Sequence, residues 1–192
     1  MFETLENIDR SILLAINNAY HPVLDTVFWQ VSAGWVFAPM WALIIWYFYK
    51  QKGIKFLGTV VLCIGFILLF CDRTTEMVKH SVKRYRPTHN LEIRDKIHVV
   101  NDYRGGQYGF FSGHSSNNTG MAVFLFLVLT QLKNRWRFFI FLFPVIIEYS
   151  RMYLGVHYPS DIFFGTLDGI LWGIVFYKVF QYLCVKWNVE EV

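Results

Sequence analysis

Residues 56–71, FLGTVVLCIGFILLFC, run for sixteen positions without a charged side chain. Taken with its flanks, the stretch reads as a helix over about 55–77, long enough to cross the roughly 30 Å hydrocarbon layer of a bilayer. Inside that layer a backbone must satisfy its own hydrogen bonds, as a helix does. Four more segments, near 28–49, 114–132, 137–153 and 161–184, have spanning potential. Those at 114–132 and 137–153 are short and reach that length only by taking in polar residues at their ends. Composition agrees: 55% of residues are hydrophobic and 17% charged, against about a quarter charged in soluble domains. At 192 residues, with no internal repeat or linker, the chain reads as one all-α integral membrane domain over 1–192. Its transmembrane core is expected over 28–184, with about five spanning helices.

A weaker helix precedes this core. Phe2, Leu5, Ile8, Ile12, Leu13 and Ile16 recur at helical spacing, with Glu3, Glu6, Asp9 and Arg10 between them. It is too short and polar to span, so residues 1–22 are expected to lie in the interface and end near His21-Pro22. The opening MFETLENIDR is acidic where a secretory signal would be basic. Cys63, Cys71 and Cys184 fall in or beside apolar segments and read as small hydrophobes, without disulfide or zinc-ligand spacing.

Loop charge sets the expected orientation. The turns at 50–55 (Lys50, Lys52, Lys55) and 132–137 (Lys133, Arg135, Arg137) are short and basic, which places them on the cytoplasmic side. The long 79–113 segment then faces outward, although it carries Lys79, Lys83, Arg84, Arg86, Arg94, Lys96 and Arg104. A basic cluster that opposes the usual bias points to an anionic ligand.

Three polar clusters meet on that outer face: KHSVKRYRP (79–87), FSGH (111–114) and SRMYLGVHYPSD (150–161). Ionisable groups at membrane depth are costly and mark functional cavities. Lys79, Arg86 and Arg151 supply donors without acceptors, which suits phosphate. Ser112 and Gly113 open a helix whose first N–H groups are unpaired and favour an anion. His157 and Asp161 are four apart, so a helix starting at Pro159 lets the carboxylate reach the imidazole and frees its other nitrogen as nucleophile or base. His114 is then free to protonate a leaving group.

The three clusters resemble the signature of the type 2 phosphatidic acid phosphatase superfamily, which includes bacterial lipid phosphatases and vanadium haloperoxidases. The first motif is Lys79, six residues, then Arg86-Pro87; the third is Ser150-Arg151, five residues, His157, three residues, Asp161. The second is Ser112-Gly113-His114, with Phe111 where the family has proline. The resemblance covers about residues 55–170 and implies a six-helix core and a metal-independent reaction without a cofactor. It implies that His157 attacks phosphorus, Asp161 orients it and His114 protonates the leaving oxygen. Lys79, Arg86, Ser112, Gly113 and Arg151 would hold the phosphoryl oxygens, with Glu76, Ser150 and Pro87 in support. The implied partners are the bilayer and a membrane lipid phosphate or diphosphate, with no nucleic acid. Undecaprenyl diphosphate leads the candidates, ahead of phosphatidic acid, phosphatidylglycerol phosphate and lipid A. The implied location is the bacterial inner membrane, with the site facing the periplasm. A non-catalytic lipid-binding or transport protein, or a vanadium haloperoxidase, is the alternative.

Glu148 and Asp168 are expected to make polar contacts between helices. Asn117 and Asn118 suit either the phosphate loop or a cap. The stretch DYRGGQYGF (102–110) suits either headgroup contact or loop packing.

Overall fold

The structure, a computed structural model, describes residues 2–189. Among the described residues there are six α-helices: α1 (Phe2–Asn17), α2 (Pro22–Ala33), α3 (Ala38–Val82), α4 (Gly113–Gln131), α5 (Leu142–Tyr153) and α6 (Pro159–Lys186). Among the described residues the only β-type pairing is an isolated bridge between Tyr85 and Tyr108.

The helix α3 is bent at Gly53, whose φ of 77° lies in the left-handed region open to glycine. Trp41, Ile44 and Phe48 of its first arm and Leu57, Val60 and Ile64 of its second line one apolar cavity of about 360 Å³. The two arms therefore run side by side, with the Lys50–Lys55 turn between them. Two stretches, Trp35–Val82 and Pro159–Lys186, are long and apolar enough to cross a membrane. The expected span at 28–49 is not one helix. Gly34, with φ of 79°, caps α2 by donating its N–H to Val31 O, and a short 3₁₀ turn, Trp35–Phe37, redirects the chain into α3. The first helix also ends earlier than expected, at Asn17. That side chain turns away to donate to the carbonyls of His98 (3.0 Å) and Tyr153 (2.7 Å) and to accept from His98 N (2.8 Å). His21 then caps α2, accepting from Val23 N, and Pro22 fills its first turn.

The tightest seam lies between α4 and α6. A Cβ on Gly165 would sit 2.5 Å from Ser112 O, one on Gly173 2.8 Å from Gly120 O, and one on Gly120 2.8 Å from Ile67 Cγ2. Small residues bring the helix backbones together, the main route to close association without a hydrophobic drive between helices. Polar pairs reinforce the bundle. Glu148 accepts from Thr119 (2.9 Å) and Thr166 (3.2 Å), and Asp168 accepts from Thr74 (2.9 Å) and Ser116 (2.5 Å). Below this polar level Phe56, Phe124, Phe143 and Phe180 fill a buried aromatic core, in which Cys63, Cys71 and Cys184 are also buried. The seam sets the beginning of α4 against the beginning of α6, where Ser112 N donates to Asp161 O at 2.9 Å.

Candidate active site

His157 occupies the short turn between α5 and α6 and is 1% exposed. The turn ends at Tyr158, which is extended, and Pro159 starts α6, so Asp161 falls on the first helical turn, facing back. Its Oδ2 lies 3.3 Å from His157 Nδ1 and accepts from Tyr158 N at 3.0 Å. A backbone hydrogen bond to Gly109 also holds His157. With Nδ1 toward the carboxylate, the free ring nitrogen is Nε2.

Four cations lie around this pair: Arg84, ion-paired to Asp161 at 2.9 Å, and Lys79, Arg86 and Arg151, whose charges act on His157. Lys79 lies in the last turn of α3 and donates to Glu76 at 3.1 Å, leaving its ammonium near Gly113. Arg86 follows the helix in extended backbone, held by Pro87 and by Nε donating to Tyr108 O at 3.1 Å; its Nη1 is buried without a partner. Arg151 closes α5 and is 3% exposed. One of its amines donates to Ser32 Oγ of α2 and the other to Tyr103 Oη at 3.0 Å, while its buried Nε has no partner. Donors buried without acceptors are costly, and both belong to guanidinium groups, whose chemistry suits an anion. Burial and the Arg151 charge push the Arg86 pKa down.

Ser112 is fully buried and caps α4 by accepting from Ser115 N, and Gly113 is the first helical residue, so the N–H groups of Gly113 and His114 are left open at the start of the helix. His114 is exposed and, with Trp29, Ser32, Ala33, Tyr103 and Arg151, lines a cavity of about 280 Å³. Two of the expected residues stand apart. Ser150 bonds back to Ile147 O at 2.6 Å, and Glu76 is exposed and reaches the site only through Lys79. Asn118 bonds His114 O, and Asn117 bonds Asp72.

The 102–110 stretch packs beneath the arginine. Arg86 N donates to Gln107 O and Gly109 N to Arg84 O. A Cβ on Gly105, whose φ of 67° favours glycine, would come within 2.7 Å of Arg86 Nη1, and one on Gly109 would lie a tight 3.1 Å from Asp161 Oδ2.

Ser32, Tyr103, Arg84 and Asp9 went unmarked in the sequence reading as site residues. Ser32 and Tyr103 hold Arg151, but they come from distant segments with no motif spacing. Arg84 stood inside the basic cluster, and only its ion pairs to Asp9 (2.6 Å) and Asp161 (2.9 Å) set it apart.

Residues 60–184 match the model of the PAP2 superfamily. The chain is 32% identical over 186 residues to the lipid A 4'-phosphatase of Porphyromonas gingivalis, covering 96% of this chain and 78% of that protein. It is 32% identical over 189 residues to the lipid A 4'-phosphatase of Bacteroides thetaiotaomicron, covering 97% and 83%. Among solved structures it is similar to the crystal structure of Aquifex aeolicus LpxE. That match has 27% identity and a TM-score of 0.62 over 88% of this chain and 93% of that one.

Burial, then the charges of Arg86, Arg151 and Lys79, holds the His157 pKa well below the ordinary histidine value of 6.5. The unfolded chain therefore binds a proton that the folded chain refuses, and acidification below 6.5 favours unfolding. The thermal midpoint of the substrate-free protein should fall between about pH 7 and about pH 5, less steeply in His157→Gln. Equal slopes in the two proteins would contradict this assignment.

Proposed function

This chain is a membrane lipid phosphatase of the PAP2 superfamily, and we propose that it removes a phosphate monoester from a phosphorylated glycolipid of the lipid A class. The observation that carries the chemistry is the buried His157–Asp161 pair set among cations whose Nη1 and Nε donors lack partners. In the first step His157 Nε2 attacks phosphorus as the bond to the lipid oxygen breaks. His114 gives that oxygen a proton, which the nearby phosphate charge helps it to carry. In the second step a water attacks the phosphohistidine, His114 takes its proton, and phosphate leaves with His157 restored. Lys79, Arg86, Arg151, Ser112 and the Gly113 amide stabilise charge on the equatorial oxygens throughout.

The glycolipid reading is supported by relatives that match nearly the whole chain and are lipid A 4'-phosphatases. The basic turns at 50–55 and 132–137 support an outward-facing site. On the same grounds we place the protein in a bacterial inner membrane, with residues 1–22 at its outer interface.

Purified protein should release phosphate from lipid A faster than from undecaprenyl diphosphate, phosphatidic acid or phosphatidylglycerol phosphate. The His157→Ala protein should be silent on all four. Faster cleavage of another lipid would overturn the substrate, and full release by His157→Ala would overturn the mechanism. Alkaline phosphatase fused after residue 95 should be active and after residue 134 inactive; the reverse pattern would invert the orientation.

A further inference from the structure

Asp161 has no exposed surface. A carboxylate in such a place needs a paired charge and filled acceptor positions, or it will not stay ionised and fixed. Its Oδ2 is taken by Tyr158 N and His157, and its Oδ1 accepts from Arg84 Nη1 at 2.9 Å. Arg84 is itself held on three sides. Its Nη1 also donates to Ser160 Oγ at 2.6 Å, its Nη2 donates to Asp9 Oδ2 at 2.6 Å, and its guanidinium lies 4.0 Å over the Tyr158 ring.

Asp9, on α1, is 6% exposed and belongs to the same cluster. Its Oδ1 accepts from Ser160 N at 2.8 Å and its Oδ2 from Ser160 Oγ at 2.5 Å. One carboxylate from the first helix thus binds both Arg84 and the opening turn of α6, the turn that carries Asp161. The amphipathic spacing of residues 2–16 accounts for the apolar face of α1 but gives no reason for a buried aspartate there.

We propose that Asp9 and Arg84 form a positioning relay, Asp9–Arg84–Asp161–His157, through which the N-terminal helix fixes the nucleophile. Arg84 fits as the link because its planar fork spans two carboxylates, which an ammonium cannot do with the same geometry. The relay acts on the chemical step. Without Arg84 the Asp161 carboxylate loses its paired charge, its hold on Nδ1 loosens, and Nε2 is presented less often for attack. Phosphate binding does not depend on it, because Lys79, Arg86 and Arg151 have their own supports.

The proposal rests on the phosphatase reading and is tested on the most rapidly cleaved lipid of the panel. Wild-type phosphate release reports on the reading, and variant-to-wild-type ratios report on the relay. Arg84→Ala should lower kcat about 10–100-fold, the range for loss of an outer partner that orients a functional histidine. KM and inhibition by inorganic phosphate should stay unchanged, and added guanidinium should restore part of kcat. Arg84→Lys, which keeps the charge and tests the fork if the alanine protein does not fold, should keep the thermal midpoint and show an intermediate kcat. Asp9→Asn should lower kcat partially and cost less in the Arg84→Ala protein than in the wild type, since part of its effect runs through Arg84 and part through Ser160. Wild-type kcat in the Arg84 variants would overturn the relay. So would KM and phosphate inhibition weakening in step with kcat, or additive losses for the two sites.

Discussion

Cationic side chains brought out of water around one uncharged imidazole are the condition on which the rest of this structure depends. Arg86 and Arg151 are buried, and among the described residues neither is ion-paired to a carboxylate. An uncompensated buried charge costs several kcal/mol. The chain meets that cost with partial partners only: the Tyr108 carbonyl for Arg86, and the Ser32 and Tyr103 hydroxyls for Arg151. On the proposed function, a bound phosphate would supply the missing negative charge and the acceptors for the remaining donors. Burial first, and then the same positive field, hold the His157 pKa well below 6.5, which favours the neutral imidazole that the proposed attack requires.

Holding such a cluster requires a frame that cannot relax around it. The α4–α6 seam gives one, because glycines at 120, 165 and 173 let the helices approach until backbone meets backbone. The openings of the two helices then share the Ser112–Asp161 hydrogen bond, which ties the first turn of α4 to the residue paired with His157. Gly105 and Gly109 let the loop under Arg86 close on the side chains of Arg86 and Asp161. The second helix, α2, stays on the site face as a wall, and that position lets Ser32 reach Arg151.

What could be read from the sequence was what depends on short spacing. His157 and Asp161 are four positions apart, and a helix beginning at Pro159 is enough to join them. The charge-free run at 56–71 announced a spanning helix for the same local reason. The first span was misplaced because residues 28–49 are apolar throughout, and hydropathy does not register the left-handed turn at Gly34 that divides them. Asp9 was out of reach for a different reason. It meets Ser160 across 151 residues, and the periodicity of α1 makes it look like any solvated acid on a polar face. Glycine contacts along α4 and α6 were equally hidden, since they depend on helix phase between segments far apart in the chain.

The central claim is that His157 becomes covalently phosphorylated, and a rapid-quench experiment with substrate labelled in its phosphate tests it most directly. Protein stopped within the first turnover should carry a label stable to alkali and labile to acid, mapping to the peptide that contains His157. Product formed in that turnover with no label on the protein, or with label on a different residue, would contradict the account.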